Sequence, residues 1–330
     1  MIISFKRDEG GSVAIIVALS MAVILSFAAF ALDLGAAYVK ASRTQAAADA
    51  AVMAAGLMLP VSQTDTARQA EITKTAEDYL EKNGAVLTDD VTITFGNLVN
   101  GMYHSIDVSL PAVSETSFAR IFGVTSIAFT REAEGRTIPC TSLSDLVPLS
   151  VREDVLEALI ASGNTSHVVL KYGKNTEEVV QGAFGAIDLD GVKGGGANDY
   201  CTWLSNGYSG QLTVGTVLPV EPGNMSGPTL AGVSARYNAC THFQSDGGCT
   251  AEHYVANCPR VMKVPVVVYL SSQYVEIVGF AAFVLEDYTT YATEGYVVGT
   301  YVDMVNMGSV GGDITGTADS FGVYNLTLSK

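Results

Sequence analysis

The chain has 330 residues, 48% of them hydrophobic, and 34 acidic against 18 basic residues give a formal net charge of −16. That length allows two folded bodies. The negative charge repels phosphate backbones, and no basic stripe interleaved with aromatics occurs, so nucleic acid is excluded as a partner.

Lys6, Arg7, Asp8 and Glu9 sum to zero, which leaves the whole net charge to the residues after 32. Residues 1–11 read as a short cytoplasmic tail. Residues 12–32 form an uncharged apolar run of 21 residues, enough to cross the roughly 30 Å hydrocarbon layer as a helix. The run exceeds the apolar region of a cleavable signal peptide, although Ala29-Phe30-Ala31 has the small-x-small form of a cleavage site. Basic residues flank both ends (Lys6 and Arg7, Lys40 and Arg43), so loop charge does not orient it. The long C-terminal part decides: the tail stays inside, and the remainder is extracytoplasmic.

Helix formers continue past Asp33, and no proline appears before Pro60, so a single helix is expected from residue 12 to about 58. Ala47, Ala51, Ala54 and Ala55, with Ala50 beside them, lie on one face as a packing surface. Plain helix propensity explains the same alanines equally well.

Further helix is expected over 65–82, closed by Asn83-Gly84. Strands are expected over 91–95 and 102–110 with a turn at 97–101, then a short helix over 117–123 and a strand from 126 to 131. These elements describe an α+β body over 33–138, with its strands packed on the extended N-terminal helix. Pro139-Cys140 marks a boundary. Residues 141–330 read as a mainly antiparallel β body: helix 151–161, strand 184–189, loop 191–196, strand 211–220, helix 225–237, and strands 261–270, 274–286, 296–304 and 322–328. Residues 278–285 are apolar on both faces, the pattern of a central strand covered on both sides. The fold class is therefore α+β, a transmembrane helix extending into a small α+β body followed by a mainly antiparallel β body.

The chain lacks G-x-S-x-G, H-E-x-x-H, P-loop and dinucleotide-binding patterns, and none of its four histidines is spaced as a base beside a nucleophile. No enzyme, catalytic residue or cofactor is expected. Gly194-Gly195-Gly196 reads as a turn, with no helix pattern after it. Asp188, Asp190 and Asp199 could hold calcium, or serve ordinary turns. Asn164, Asn224 and Asn325 fit the glycosylation pattern. All five cysteines follow the apolar run, where disulfides are plausible: Cys201, Cys240, Cys249 and Cys258 are expected to pair, with Cys140 left over. His242 and His253 fall among the later cysteines. No metal site is expected, because C-x₂₋₄-C spacing is absent.

Gly11-Ser12-Val13-Ala14, the apolar helix, Leu32-Asp33-Leu34-Gly35, Tyr38 and the run Gln45-Ala46-Ala47-Ala48-Asp49-Ala50-Ala51 together resemble the start of the TadE/TadG-like proteins of Tad (tight adherence) pilus assembly. Residues 182–189, 223–229 and 278–283 resemble the exported region of TadG-related proteins. The resemblance implies a single-pass cell-membrane protein working with an Flp-type pilus as anchor, minor component or assembly factor. Its implied partners are inner-membrane or pilus-assembly proteins, with the lipid bilayer held through residues 12–32. Prepilins carry glutamate five residues after a glycine; here Gly10 and Gly11 are followed at that distance by Ile15 and Ile16. The resemblance therefore does not extend to a processed major pilin. The alternative reading is a tethered surface binder, dependent on glycan or calcium.

Overall fold

The computed structural model describes residues 10–163, 166–173, 185–193, 196–223, 225–288, 295–306 and 321–329. Its first element is a single helix, α1 (Gly10–Gly56), of 47 residues. At 1.5 Å per residue it is about 70 Å long. β1 (Val61–Ser62) and α2 (Thr66–Lys82) follow. Asp65 starts α2 by accepting a hydrogen bond from the Arg68 N–H at 3.0 Å. Ile72, Ala76 and Leu80 are the residues α2 buries, one side chain per turn.

β2 (Thr92–Val99) and β3 (Met102–Glu115) form a hairpin closed by Asn100 and Gly101, whose φ values of 48° and 81° suit a tight primed turn. The turn is thus shorter than the expected 97–101 loop. Asn-Gly is itself the signal for two residues at positive φ, a conformation glycine adopts at no steric cost. β4 (Ser126–Pro139) pairs along β3 from Ser105↔Arg136 to Glu115↔Ser126, so both strands outrun their expected lengths. The short helix expected over 117–123 is a 3₁₀ turn, Ala119–Phe122, ended by Gly123 at φ 83°.

The next elements are short: β5 (Ser142–Leu143), β6 (Val151–Arg152), α3 (Glu153–Ser162), β7 (Val168–Lys171), α4 (Gly196–Asn206), β8 (Leu212–Thr213), β9 (Val217–Pro219) and α5 (Ser226–Asn238). Two sequence expectations are corrected here. Residues 185–189 form only isolated bridges at Ala186 and Ile187, and 211–220 divides into β8 and β9. A helix follows Gly196 where none was expected. Its polar start, Ala-Asn-Asp, hid the two buried side chains Tyr200 and Leu204, which meet α5. A Cβ on Gly232 of α5 would lie 2.9 Å from Leu204, so glycine permits the close approach of the two helices. The remaining strands are β10 (Val261–Tyr269), β11 (Tyr274–Val284), β12 (Val297–Val302), β13 (Met304–Val305) and β14 (Val323–Leu328).

Two main sheets result. The first runs β1-β3-β4-β14-β13, with β2 also on β3. The second runs β6-β10-β11-β12-β7, with β9 also on β11. The antiparallel pairs dominate, and the fold is α+β. β11 lies inside the second sheet, as its two apolar faces require. Val275, Ile277, Ala282 and Val284 enter one core, and Ala281, Phe283 and Leu285 enter the other. Leu156 of α3, Tyr200 and Leu204 of α4, and Val233 of α5 cover the second of these cores. Cys240, Cys249 and Cys258 help cover the first.

The last strand crosses to the other sheet. β14 pairs with β4 from Tyr324↔Pro139 to Leu328↔Gly135. The C-terminal part of the chain therefore completes the sheet that packs on α1. Two glycines allow this contact. A Cβ on Gly135 would lie 2.8 Å from the Val52 carbonyl oxygen, and one on Gly56 would lie 2.6 Å from Leu326.

Candidate functional site: the membrane exit of the long helix

The helix α1 changes character at one residue. Its side chains from Val13 to Leu32 are exposed apart from a half-buried Ala29, and its most apolar window has a mean hydropathy of 2.7 with nothing buried. By length and composition it can cross a membrane. From Asp33 onward a stripe turns inward: Ala37, Ala41, Ala47, Ala48, Ala51, Val52 and Ala55 are buried. Of the expected packing face, Ala47, Ala51 and Ala55 are buried, while Ala50 and Ala54 are half-buried. Ala48 and Val52 were missed, although they belong to the same 3.6-residue stripe. Small side chains let the backbones of β3 and β4 lie close to the helix.

Asp33 fastens the exit point. Its carboxylate accepts hydrogen bonds from the backbone N–H groups of Ser117, Phe118 and Ala119, at 2.8, 2.9 and 2.6 Å. These amides open the 3₁₀ turn, so the carboxylate acts as a cap across a separation of more than eighty residues. The Ala119 N–H, then those of Ser117 and Phe118, hold the carboxyl below the usual carboxylate range, against an opposing effect of burial. A lowered carboxyl value means that the tie is present at neutral pH and is lost as pH falls through that value. Asp33→Ala is expected to speed amide exchange at residues 117–119 by about tenfold or more at neutral pH. Wild-type protein should approach the variant's rates only on strong acidification. Unchanged exchange in the variant would show that the cap does not hold the turn.

The capped turn carries apolar side chains outward. Ile121 is 80% and Phe122 72% exposed, with Phe118 and Val124 beside them. Phe122 shares an apolar depression with Leu19, Val23, Phe27 and Phe30 of α1. The turn thus lies at the height of the apolar run, where such side chains favour the lipid boundary. Sequence reasoning read this segment only as a short helix; its four apolar residues were the available signal.

Beside the exit lies an open, mainly apolar groove of about 1260 Å³. Leu32, Ala36 and Val39 of α1 form one side, with Val86, Val113 and Phe129 opposite. Lys40 also lines it and donates from Nζ to the Val113 carbonyl, joining α1 to β3.

The other sequence candidates lie far along the chain. Cys240, Cys249 and Cys258 converge together with His242, and their ligand atoms all fall within 4.8 Å of one another. Cys201 sits on α4, outside that group. Among the described residues Asp188, Asp190 and Asp199 are not gathered into a metal-holding group. The Asp190 carboxylate instead accepts the Val192 N–H at 2.8 Å, ordinary turn chemistry. Asn164, Asn224 and residues 194–195 lie outside the described residues.

Residues 11–62 match the family model Tad, described as TadE/G-like Flp pilus-assembly. The matched stretch is nearly all of α1 together with β1, the segment on which the sequence resemblance rests. Neither the curated proteins nor the solved structures contain a match.

Proposed function

We propose that this chain is a single-pass envelope protein of a Tad/Flp-type pilus-assembly apparatus, acting as anchor, minor component or assembly factor through protein contacts. Its residues 1–11 face the cytoplasm, residues 12–32 span the membrane, and the bodies 33–138 and 141–330 stand outside, the second lending β13 and β14 to the sheet of the first. The observation that carries this reading is the division of α1 at Asp33. One continuous helix is apolar and uncovered before that point and core-forming after it. The Flp pilus-assembly match over the same segment supports the family context. The reading is non-enzymatic, in keeping with the missing nucleophile–base signature.

The groove at the exit is the contact surface of this proposal. It continues directly into the lipid-exposed face of α1, since Ala31 and Leu32 belong to both. Its occupant is therefore the apolar helix of another membrane-embedded component of the apparatus. Small side chains at Ala31, Gly35 and Ala36 suit close helix packing. A photo-crosslinking side chain at Val39, in cells making pili, is expected to capture one such component. Ala36→Trp should remove both the adduct and the pili. Normal piliation in Ala36→Trp cells, or an adduct with lipid alone at Val39, would overturn the proposal.

A further inference from the structure

The segment between α5 and β10 has little regular structure. Among the described residues its only helical piece is a 3₁₀ turn at Gln244–Asp246. Yet it closes one face of the second sheet. Cys240, Cys249 and Cys258 are 5%, 0% and 2% exposed, and His242 is half-buried. One ligand atom from each falls within 4.8 Å of every other. The buried Nδ1 of His242 makes no hydrogen bond among the described residues.

We propose that Cys240, His242, Cys249 and Cys258 form a structural site for a divalent cation of the zinc class. Three thiolates and one imidazole are a full tetrahedral set, with no position left for water or substrate. Soft sulfur ligands select zinc over calcium or magnesium. Zinc–sulfur bonds of about 2.3 Å require ligand atoms about 3.5–3.8 Å apart, a contraction of roughly 1 Å from the present spread. The spacing C-x-H-x₆-C-x₈-C has no C-x₂₋₄-C pair, which is why the sequence alone argued against a metal. Folding of the loop supplies the convergence that spacing does not.

Two neighbours fit a metal-bound set of thiolates. The Arg260 N–H points to the Cys258 Sγ at 3.4 Å, an N–H···S contact that stabilises a thiolate. The Arg260 guanidinium is buried, donates to the Cys249 carbonyl at 3.2 Å and lies 3.7 Å from the Tyr237 ring. Among the described residues no carboxylate forms an ion pair with it. Three thiolates around a divalent cation carry a net charge of −1, and would supply the counter-charge that a buried guanidinium requires. Gly248, at φ 97°, makes room: a Cβ there would lie 2.6 Å from Arg260. A disulfide satisfies the cluster less well, because joining two thiols strands the third and leaves the imidazole unused.

The proposal stands apart from the pilus reading and is tested on the full chain, purified in detergent under reducing conditions. Metal analysis is expected to find about one zinc per chain, retained in Cys201→Ser and reduced at least tenfold in Cys249→Ser. Cobalt exchanged into the wild-type protein should show intense visible bands of tetrahedral coordination and a thiolate charge-transfer band, and should protect the three thiols from alkylation. The cobalt and alkylation readouts decide the matter even where Cys249→Ser fails to fold. Wild-type protein that takes up neither zinc nor cobalt would overturn the site. So would a disulfide joining any two of Cys240, Cys249 and Cys258 in protein isolated without reductant.

Discussion

A chain shortened to start at Asp33 is expected to leave the membrane fraction and unfold cooperatively near the full-length temperature. One shortened to start at Leu57 is expected not to fold its N-terminal body at all. The difference follows from where α1 makes contacts. Side chains from Val13 to Leu32 are uncovered, so their removal takes little from the folded part. The next stretch carries Ala47, Ala48, Ala51, Val52 and Ala55, which cover Ile72 and Leu80 of α2 and Ile106, Val108 and Leu110 of β3. Re-exposing five such large side chains costs on the order of 10 kcal/mol, at about 1.5–3 kcal/mol each. That is the size of a whole domain's stability. Partitioning in detergent and thermal unfolding by circular dichroism read both outcomes. Native stability in the chain starting at Leu57 would show that α1 is not part of this core.

Arg236→Ala is expected to destabilise the second sheet and its helices by about 3 kcal/mol or more, since each buried carbonyl left without its donor costs about 1–3 kcal/mol. Arg236 lies on α5 and is 4% exposed. Its Nε donates to the Leu204 carbonyl at 2.8 Å, and its Nη1 to those of Pro259 and Val261 at 2.9 and 3.4 Å. One guanidinium thus joins the end of α4 to the start of β10. Alanine would leave two buried carbonyls and one half-buried carbonyl without their donor, and a cavity in place of the side chain. Burial disfavours the charged form and lowers the guanidinium's proton affinity, while the charges of Asp145 and Cys258 oppose that effect. Arg236→Lys keeps the charge but cannot span three acceptors, and should recover only part of the loss. Urea unfolding of the chain starting at Asp33 gives the comparison. A loss below about 1 kcal/mol in Arg236→Ala would mean that water replaces the guanidinium.

Much of the fold was legible in local signals. The 21-residue apolar run, the helical pattern over 65–82 and the two apolar faces of residues 278–285 each identify an element from its own residues. The Asn100-Gly101 turn was equally local and was overlooked inside a longer loop. The candidate site was only half legible. Asp33 stood out at the end of the apolar run, but its three amide partners are 84–86 residues away. α4 was hidden because its polar first turn carries no period, and its burial depends on Gly232 in another helix.

Sequence by itself determined the elements whose cause is local: a long membrane-capable helix, the hairpin and the central apolar strand. Periodicity, capping and side-chain size act within a few residues, so they can be read in order along the chain. Only the tertiary structure decided which distant pieces meet. It placed the last strand against β4, drew Asp33 to the 3₁₀ turn, and brought three cysteines and a histidine around one point. Those contacts depend on loop closure and packing across the whole chain, which no local pattern records.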